Sequence, residues 1–172
     1  NFRRFWNYEI NLFRKNSNFF EDRKKLSLKK KPLPLLIISC TKSKLKGVQL
    51  LPALIRYQGP LISLVRRAFL LDNSSPSFNV LILSAKFGPL SPHQPIPEYN
   101  QIMTPERLEE LQPLLIGKIL SLNPKNLFIN LSKNYFSPIE FKDRLIPKIV
   151  AKGTYMERYN QTKEIIGKWK QK

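Results

Sequence analysis

Cysteine and histidine are nearly missing from this chain: Cys40 and His93 are the only ones among 172 residues. One cysteine cannot close an internal disulfide, and one Cys with one His falls short of the three or four ligands that a zinc site takes. Acidic residues are scarce too, 12 against 30 Lys plus Arg. Few of them lie near the motifs described below, so divalent-metal nuclease chemistry, which needs clustered Asp or Glu, is poorly supported. Neither a metal nor a cofactor is expected. The longest apolar run, around Leu35 to Ser39, is far shorter than the roughly 20 residues that span a bilayer, and no signal-peptide h-region opens the chain. The expectation is a soluble, cytoplasmic protein without a membrane span. Asn1 rather than Met stands first, as in a fragment of a longer polypeptide.

What is abundant is positive charge, with a formal total of +18. Residues 1–31 contribute +7, residues 32–141 contribute +5 and residues 142–172 contribute +6. The excess therefore sits at both ends, and it implies salt-sensitive affinity for polyanions without specifying a fold or a site. Nucleic acid is the expected partner. Solubility, or a lysine-rich coding bias in an A/T-rich genome, is the alternative. A hydrophobic content of 42% with eleven Phe, six Tyr and two Trp is globular, and one domain of this length buries roughly 70% of its unfolded surface.

Three parts follow one another along the chain. In residues 1–31, Phe2, Phe5, Trp6, Ile10 and Phe13 recur at helical spacing among Arg3, Arg4, Arg14 and Lys15, which predicts a basic aromatic helix. Its stripe packs on its own domain, stacks on unpaired bases or lies on an anionic surface. Residues 33–152 alternate apolar runs with helical patterns. Leu33 to Ser39, Asn79 to Ser84 and Asn126 to Leu131 read as strands covered on both faces. Gly59-Pro60 opens one helix, and Thr104-Pro105-Glu106 opens a second that Pro113 should kink or split. Ser137-Pro138-Ile139-Glu140 fits a capping box for a third running toward Gly153, with Pro147 another kink. This order predicts an α/β, three-layer domain with a short, mostly parallel sheet. Residues 153–172 read as a basic C-terminal segment.

Each strand runs into a serine with lysine close behind: Ser39-Cys40-Thr41-Lys42-Ser43-Lys44, Ser84-Ala85-Lys86-Phe87-Gly88, and Ser132-Lys133-Asn134-Tyr135. In an open parallel sheet the carboxyl ends of the strands share one edge, where ligands bind at the switch in strand order. Hydroxyls, ammonium groups and loop amides such as that of Gly88 would converge there on a phosphate, a nucleotide or a phosphodiester. The plainer reading is that serine ends strands well and that lysine is common in this chain.

These blocks, with Tyr57-Gln58-Gly59-Pro60-Leu61 leading into Arg66-Arg67-Ala68, Leu83-Ser84-Ala85-Lys86-Phe87-Gly88-Pro89-Leu90 and Tyr99, resemble a little-characterised bacterial and phage family. Its S-C-x-K-S-K, Y-x-G-P-L and L-S-A-K-x-G-L blocks follow one another at similar spacings, and it is grouped loosely with the peroxide-stress protein YaaA, a DNA-binding protein. The resemblance covers about residues 33–145. Together, the strand ends and the resemblance lead to the expectation of a nucleic-acid-associated, stress- or DNA-damage-related protein whose phosphate- or nucleotide-binding residues are Ser39, Cys40, Lys42, Lys44, Tyr57, Gly59, Ser84, Lys86, Gly88, Tyr99, Ser132 and Tyr135. Two departures stand out. Tyr99 is followed by Asn100 where the family usually has aspartate, which leaves Glu98 as the nearest carboxylate. A glycine commonly precedes the third-block tyrosine, where this chain has Asn134.

Catalytic roles stay open. Cys40, beside lysines, is either a thiolate nucleophile or a packing residue. Lys86 is a phosphate ligand or, with a depressed pKa, a general base. His93 lies in a proline-rich loop able to cover the pocket, or is simply solvated there. Tyr57, Tyr99 and Tyr135 stack on a base, donate to phosphate, or are ordinary half-buried aromatics. Three functions follow: a nucleic-acid-associated phosphate-binding module, an enzyme acting on a nucleotide or nucleobase, or a basic protein with an empty crevice.

Overall fold

The computed structural model describes residues 32–47, 49–70, 77–135 and 146–171. The chain divides into two units, 1–31 and 32–172, and every described residue lies in the second. The aromatic helix expected in 1–31 and the capping box at 137–140 therefore lie outside the described residues.

In chain order the elements are β1 (Leu35–Ser39), β2 (Leu51–Pro52), α1 (Ala53–Arg56), α2 (Pro60–Leu70), β3 (Asn79–Ser84), β4 (Gly88–Leu90), β5 (Pro95–Ile96), α3 (Pro105–Leu122), β6 (Leu127–Asn130), a 3-10 turn (Lys133–Tyr135), β7 (Lys148–Val150) and α4 (Tyr155–Lys170). Five strands form one sheet in the order β4, β3, β1, β6, β7. β1 is parallel to β3 and to β6, with Ile38 opposite both Ile82 and Asn130, and β6 is parallel to β7. Only β4 is antiparallel, hairpinned onto β3 with Ser84 facing Gly88. β1 is the centre: Leu35, Leu36, Ile37 and Ile38 are fully buried, as an apolar run without alternation requires when both faces are covered. The chain leaves β1 for β3 on one side and returns across it to β6 on the other, so the strand order switches between β1 and β6. The architecture is α/β, a mostly parallel sheet flanked by helices.

The helices show why local rules needed tertiary context. α2 opens at Gly59, whose φ of +134° favours glycine, and at Pro60, and it buries Ile62, Val65 and Phe69. α3 starts where expected: the Thr104 hydroxyl accepts from the Arg107 amide, and Glu106 sits in the first turn. It then runs unbroken through Pro113, contrary to the expected split. Pro113 is exposed, so its ring faces solvent and the helix forgoes one backbone bond there.

The helix expected to reach Gly153 gives way to β7. The Pro147 carbonyl accepts from the Leu127 amide, and the Ala151 amide donates to Ile129, both at 2.9 Å. Pairing with β6 thus satisfies backbone that a proline-interrupted helix would leave open, and Ile149 and Val150 suit a strand. Residues 153–172 are more than a trailing basic segment. A capping box of Thr154 and Glu157 opens α4, which packs against β6 and α2 and buries Thr162, Ile166 and Trp169. The signal Thr154-x-x-Glu157 was available in the sequence.

Candidate functional site

Behind β1 the chain makes a tight return that positions Lys44. Lys44 bridges to Tyr57 across an isolated antiparallel pair, and the Leu45 and Gln58 amides donate to the carbonyls of Arg56 and Ser43. Arg56 is fully buried, and its guanidinium holds the carbonyls of Leu45, Gln49 and Ile96. Arg66, 3% exposed, donates to the carbonyls of Leu54 and Tyr57. These two arginines, whose burial sequence reasoning missed, stitch the second block to the loop after β1. Charge alone would have placed them on the surface.

The carboxyl ends of β1 and β3 enclose a chain of weak acids. The Tyr57 hydroxyl lies 2.6 Å from that of Tyr99, the Ser84 hydroxyl lies 2.8 Å from Tyr99, and the Tyr135 hydroxyl lies 2.9 Å from the Cys40 sulfur. Tyr99 donates to the same sulfur over 3.7 Å. Valence fixes the order of the protons. Ser84 Oγ accepts the Lys86 and Phe87 amides, each at 3.2 Å, which occupies both lone pairs, so its O–H goes to Tyr99. Tyr99 then accepts from Ser84 and Tyr57 and donates to Cys40. Burial pushes the phenols of Tyr57, Tyr99 and Tyr135 well above the ordinary tyrosine value, with the nearby Cys40 adding to the rise. The three phenols are therefore neutral donors rather than nucleophiles.

Two ammonium groups overhang this network. Lys44 Nζ stands 4.3 Å from the Tyr99 ring centroid and Lys86 Nζ 5.8 Å from it. Partial burial lowers the Lys44 pKa, against the smaller opposing pull of Cys40 and Glu98. Among the described residues neither lysine forms an ion pair with a carboxylate. Arg107, another residue the sequence did not single out, clamps the turn beneath Lys86 by donating to the carbonyls of Ala85 and Lys86.

On the other side of Cys40 the sheet edge opens. A cleft of about 140 Å³ sits at the switch in strand order, lined by Ser39, Cys40, Thr41, Gly59, Leu61, Ile62, Asn130, Ser132, Tyr155 and Arg158. The Ser132 amide donates to Ser39 Oγ at 3.2 Å, which ties the ends of β1 and β6 together. The Leu61 amide, in the first turn of α2, donates to the Tyr155 hydroxyl at 3.1 Å. Arg158 Nη1 donates to the Leu131 carbonyl at 2.6 Å.

The expected residues are thus sorted. Cys40, Lys44, Tyr57, Ser84, Lys86, Tyr99 and Tyr135 gather at the network, while Ser39, Gly59 and Ser132 line the cleft with Cys40. Lys42 is exposed beside them, its carbonyl accepting from Lys44 Nζ at 3.4 Å. Gly88 is buried with a φ of +72°, and a Cβ there would press Leu111 at 3.1 Å, so it serves the β3–β4 turn. Tyr57 is fully buried and presents no open face for a base. Lys133 and His93 are exposed. Thr41, Tyr155 and Arg158 were missed. Among the described residues no three His, Cys, Asp or Glu side chains gather as metal ligands would, and no helix is long and apolar enough to cross a membrane.

No family model matches the chain, and no curated protein matches it. The class that fold and site define is an α/β protein with a mostly parallel sheet, a cleft at the switch in strand order and a cationic rim.

Proposed function

We propose that the protein is nucleic-acid-associated and binds a backbone phosphate or a nucleotide phosphate at the Ser/Lys-lined edge of its sheet. The observation that carries this reading is the convergence of Lys44 and Lys86 over Tyr99, with no ion pair to a carboxylate among the described residues. Ammonium groups without an ion pair, next to hydroxyls, favour a phosphate, which takes up charge and directional hydrogen bonds together. The formal charge of +18 supplies the long-range attraction. The block resemblance to the YaaA-like family points the same way, toward a stress- or DNA-damage-related role in the cytoplasm.

The test is nucleic-acid binding as a function of salt. The logarithm of the affinity should fall steeply with the logarithm of salt, and Lys42→Ala with Lys86→Ala should lower the slope by about 2, one per phosphate contact. Both side chains are exposed, so the fold should tolerate the change. A flat salt dependence removes the reading.

A second reading is an enzyme acting on a nucleotide or nucleobase in the same crevice. It rests on the network itself: a half-buried amine with a lowered pKa beside neutral phenols and a thiol is an arrangement that can hold and move protons.

A further inference from the structure

Within the phosphate-binding reading, on which this step rests, we infer that Arg158 anchors the phosphate in the switch-point cleft, and that the cleft admits this group alone and leaves sugar and base outside. Size argues the second half. About 140 Å³ is many times the roughly 10–15 Å³ that one water needs, yet well below the roughly 300–1,000 Å³ of pockets that enclose a whole drug-sized ligand. A phosphate fits inside; a nucleotide does not.

Charge argues the first half. Among the described residues Arg158 is the one charged residue lining the cleft. Nη1 is committed to the Leu131 carbonyl at 2.6 Å, which fixes the guanidinium plane against the end of β6. Nη2 is accessible and takes no hydrogen bond among the described residues, and among the described residues no carboxylate pairs with Arg158. A planar guanidinium in that state offers a phosphate oxygen in the cleft a charge-assisted bond from Nη2 while its other arm stays on Leu131. Tyr155 fits the same account. It is 47% exposed, and its hydroxyl holds the Leu61 amide, a donor that a phosphate oxygen can take over as the phenol swings out.

Calorimetric titration of the full chain tests this, with AMP, CMP, inorganic phosphate and adenosine as probes. AMP, CMP and phosphate should bind within about threefold of one another, and adenosine should not bind, because only the phosphate enters the cleft. Arg158→Gln keeps an amide donor for Leu131 and removes the charge; it should weaken AMP by at least about tenfold. Lys163→Ala, which removes an exposed charge from the same helix, should stay within about twofold. If Arg158→Gln melts too early to be titrated, Arg158→Lys serves instead. It keeps the charge without the fork, and unaltered AMP binding by it would overturn the assignment. Unaltered AMP binding by Arg158→Gln overturns it likewise, and a tenfold preference between AMP and CMP overturns the size argument. If Arg158 proves dispensable while Lys42→Ala with Lys86→Ala still weakens nucleic-acid binding, the general phosphate reading survives without Arg158. If the wild type binds neither mononucleotides nor nucleic acid, both fall together.

Discussion

On the β3 side of Cys40 the end of the sheet is closed by side chains that bond to one another; on the β6 side it opens into a cleft whose polar groups bond mainly to backbone. Ser84, Tyr57, Tyr99, Tyr135 and Cys40 are all at most 9% exposed, and each polar atom has a partner inside the set. The cleft, by contrast, keeps an accessible serine, an accessible tyrosine and an arginine with a donor to spare. The comparison teaches that similar sequence signals, a strand ending in serine with lysine behind, build two different things. One is a dry scaffold that fixes the rim lysines. The other is space for a ligand.

Serine substitutions should separate the two most sharply. Ser84→Ala strands two part-buried amides and takes one of its donors from Tyr99, and each unsatisfied buried group costs about 1–3 kcal/mol. A loss of about 2–4 kcal/mol of unfolding free energy is expected in denaturant titration. Ser132→Ala, at the cleft, should stay within about 0.5 kcal/mol, as surface changes do. Equal losses at the two sites would erase the distinction.

Alkali should find the network next. Tyr57, Tyr99 and Tyr135 have folded-state pKa values raised above the ordinary phenol value of about 10. A group raised on folding stabilises fully below its unfolded pKa, and that stability is lost as pH rises through the folded one. Stability should therefore decline above about pH 10. Tyrosinate absorbance from these three of the six tyrosines should appear together with loss of structure rather than before it. A smooth titration with the fold intact would mean that the network is open to water.

Much of this was legible in the sequence, for reasons that particular residues make clear. The strands announced themselves because β1, β3 and β6 are apolar without alternation, which only strands covered on both faces allow, and the serine ends followed from their boundaries. What the sequence could not separate was Ser84 from Ser132, because that depends on which neighbours β1 takes on each side. Arg158 was out of reach for a similar reason: only the return of α4 over β6, set by pairing of β7, brings it to residues more than a hundred positions earlier. Arg56 and Arg66 escaped because a charged letter reads as surface until enough backbone carbonyls surround it.

The smallest expected effect lies on the network side, at Lys44. Its ammonium stands over Tyr99 and is partly desolvated, which lowers its pKa. A base whose pKa is lowered on folding carries a penalty while charged, present below the folded pKa and gone above the unfolded value of about 10.4. Lys44→Met removes that penalty and the cation–π contact together. Such a contact contributes only about 0.5–1 kcal/mol, and it opposes the penalty. Near neutral pH the variant should match or slightly exceed the wild type, within about 0.5 kcal/mol, and the wild type should gain on it as pH approaches 10.4, where its own penalty disappears. Nucleic-acid affinity should move the opposite way and fall, because the rim has lost one of its two converging charges. A variant destabilised by more than about 1 kcal/mol would show that Lys44 serves the scaffold; a variant of equal stability and weaker binding places it with the ligand.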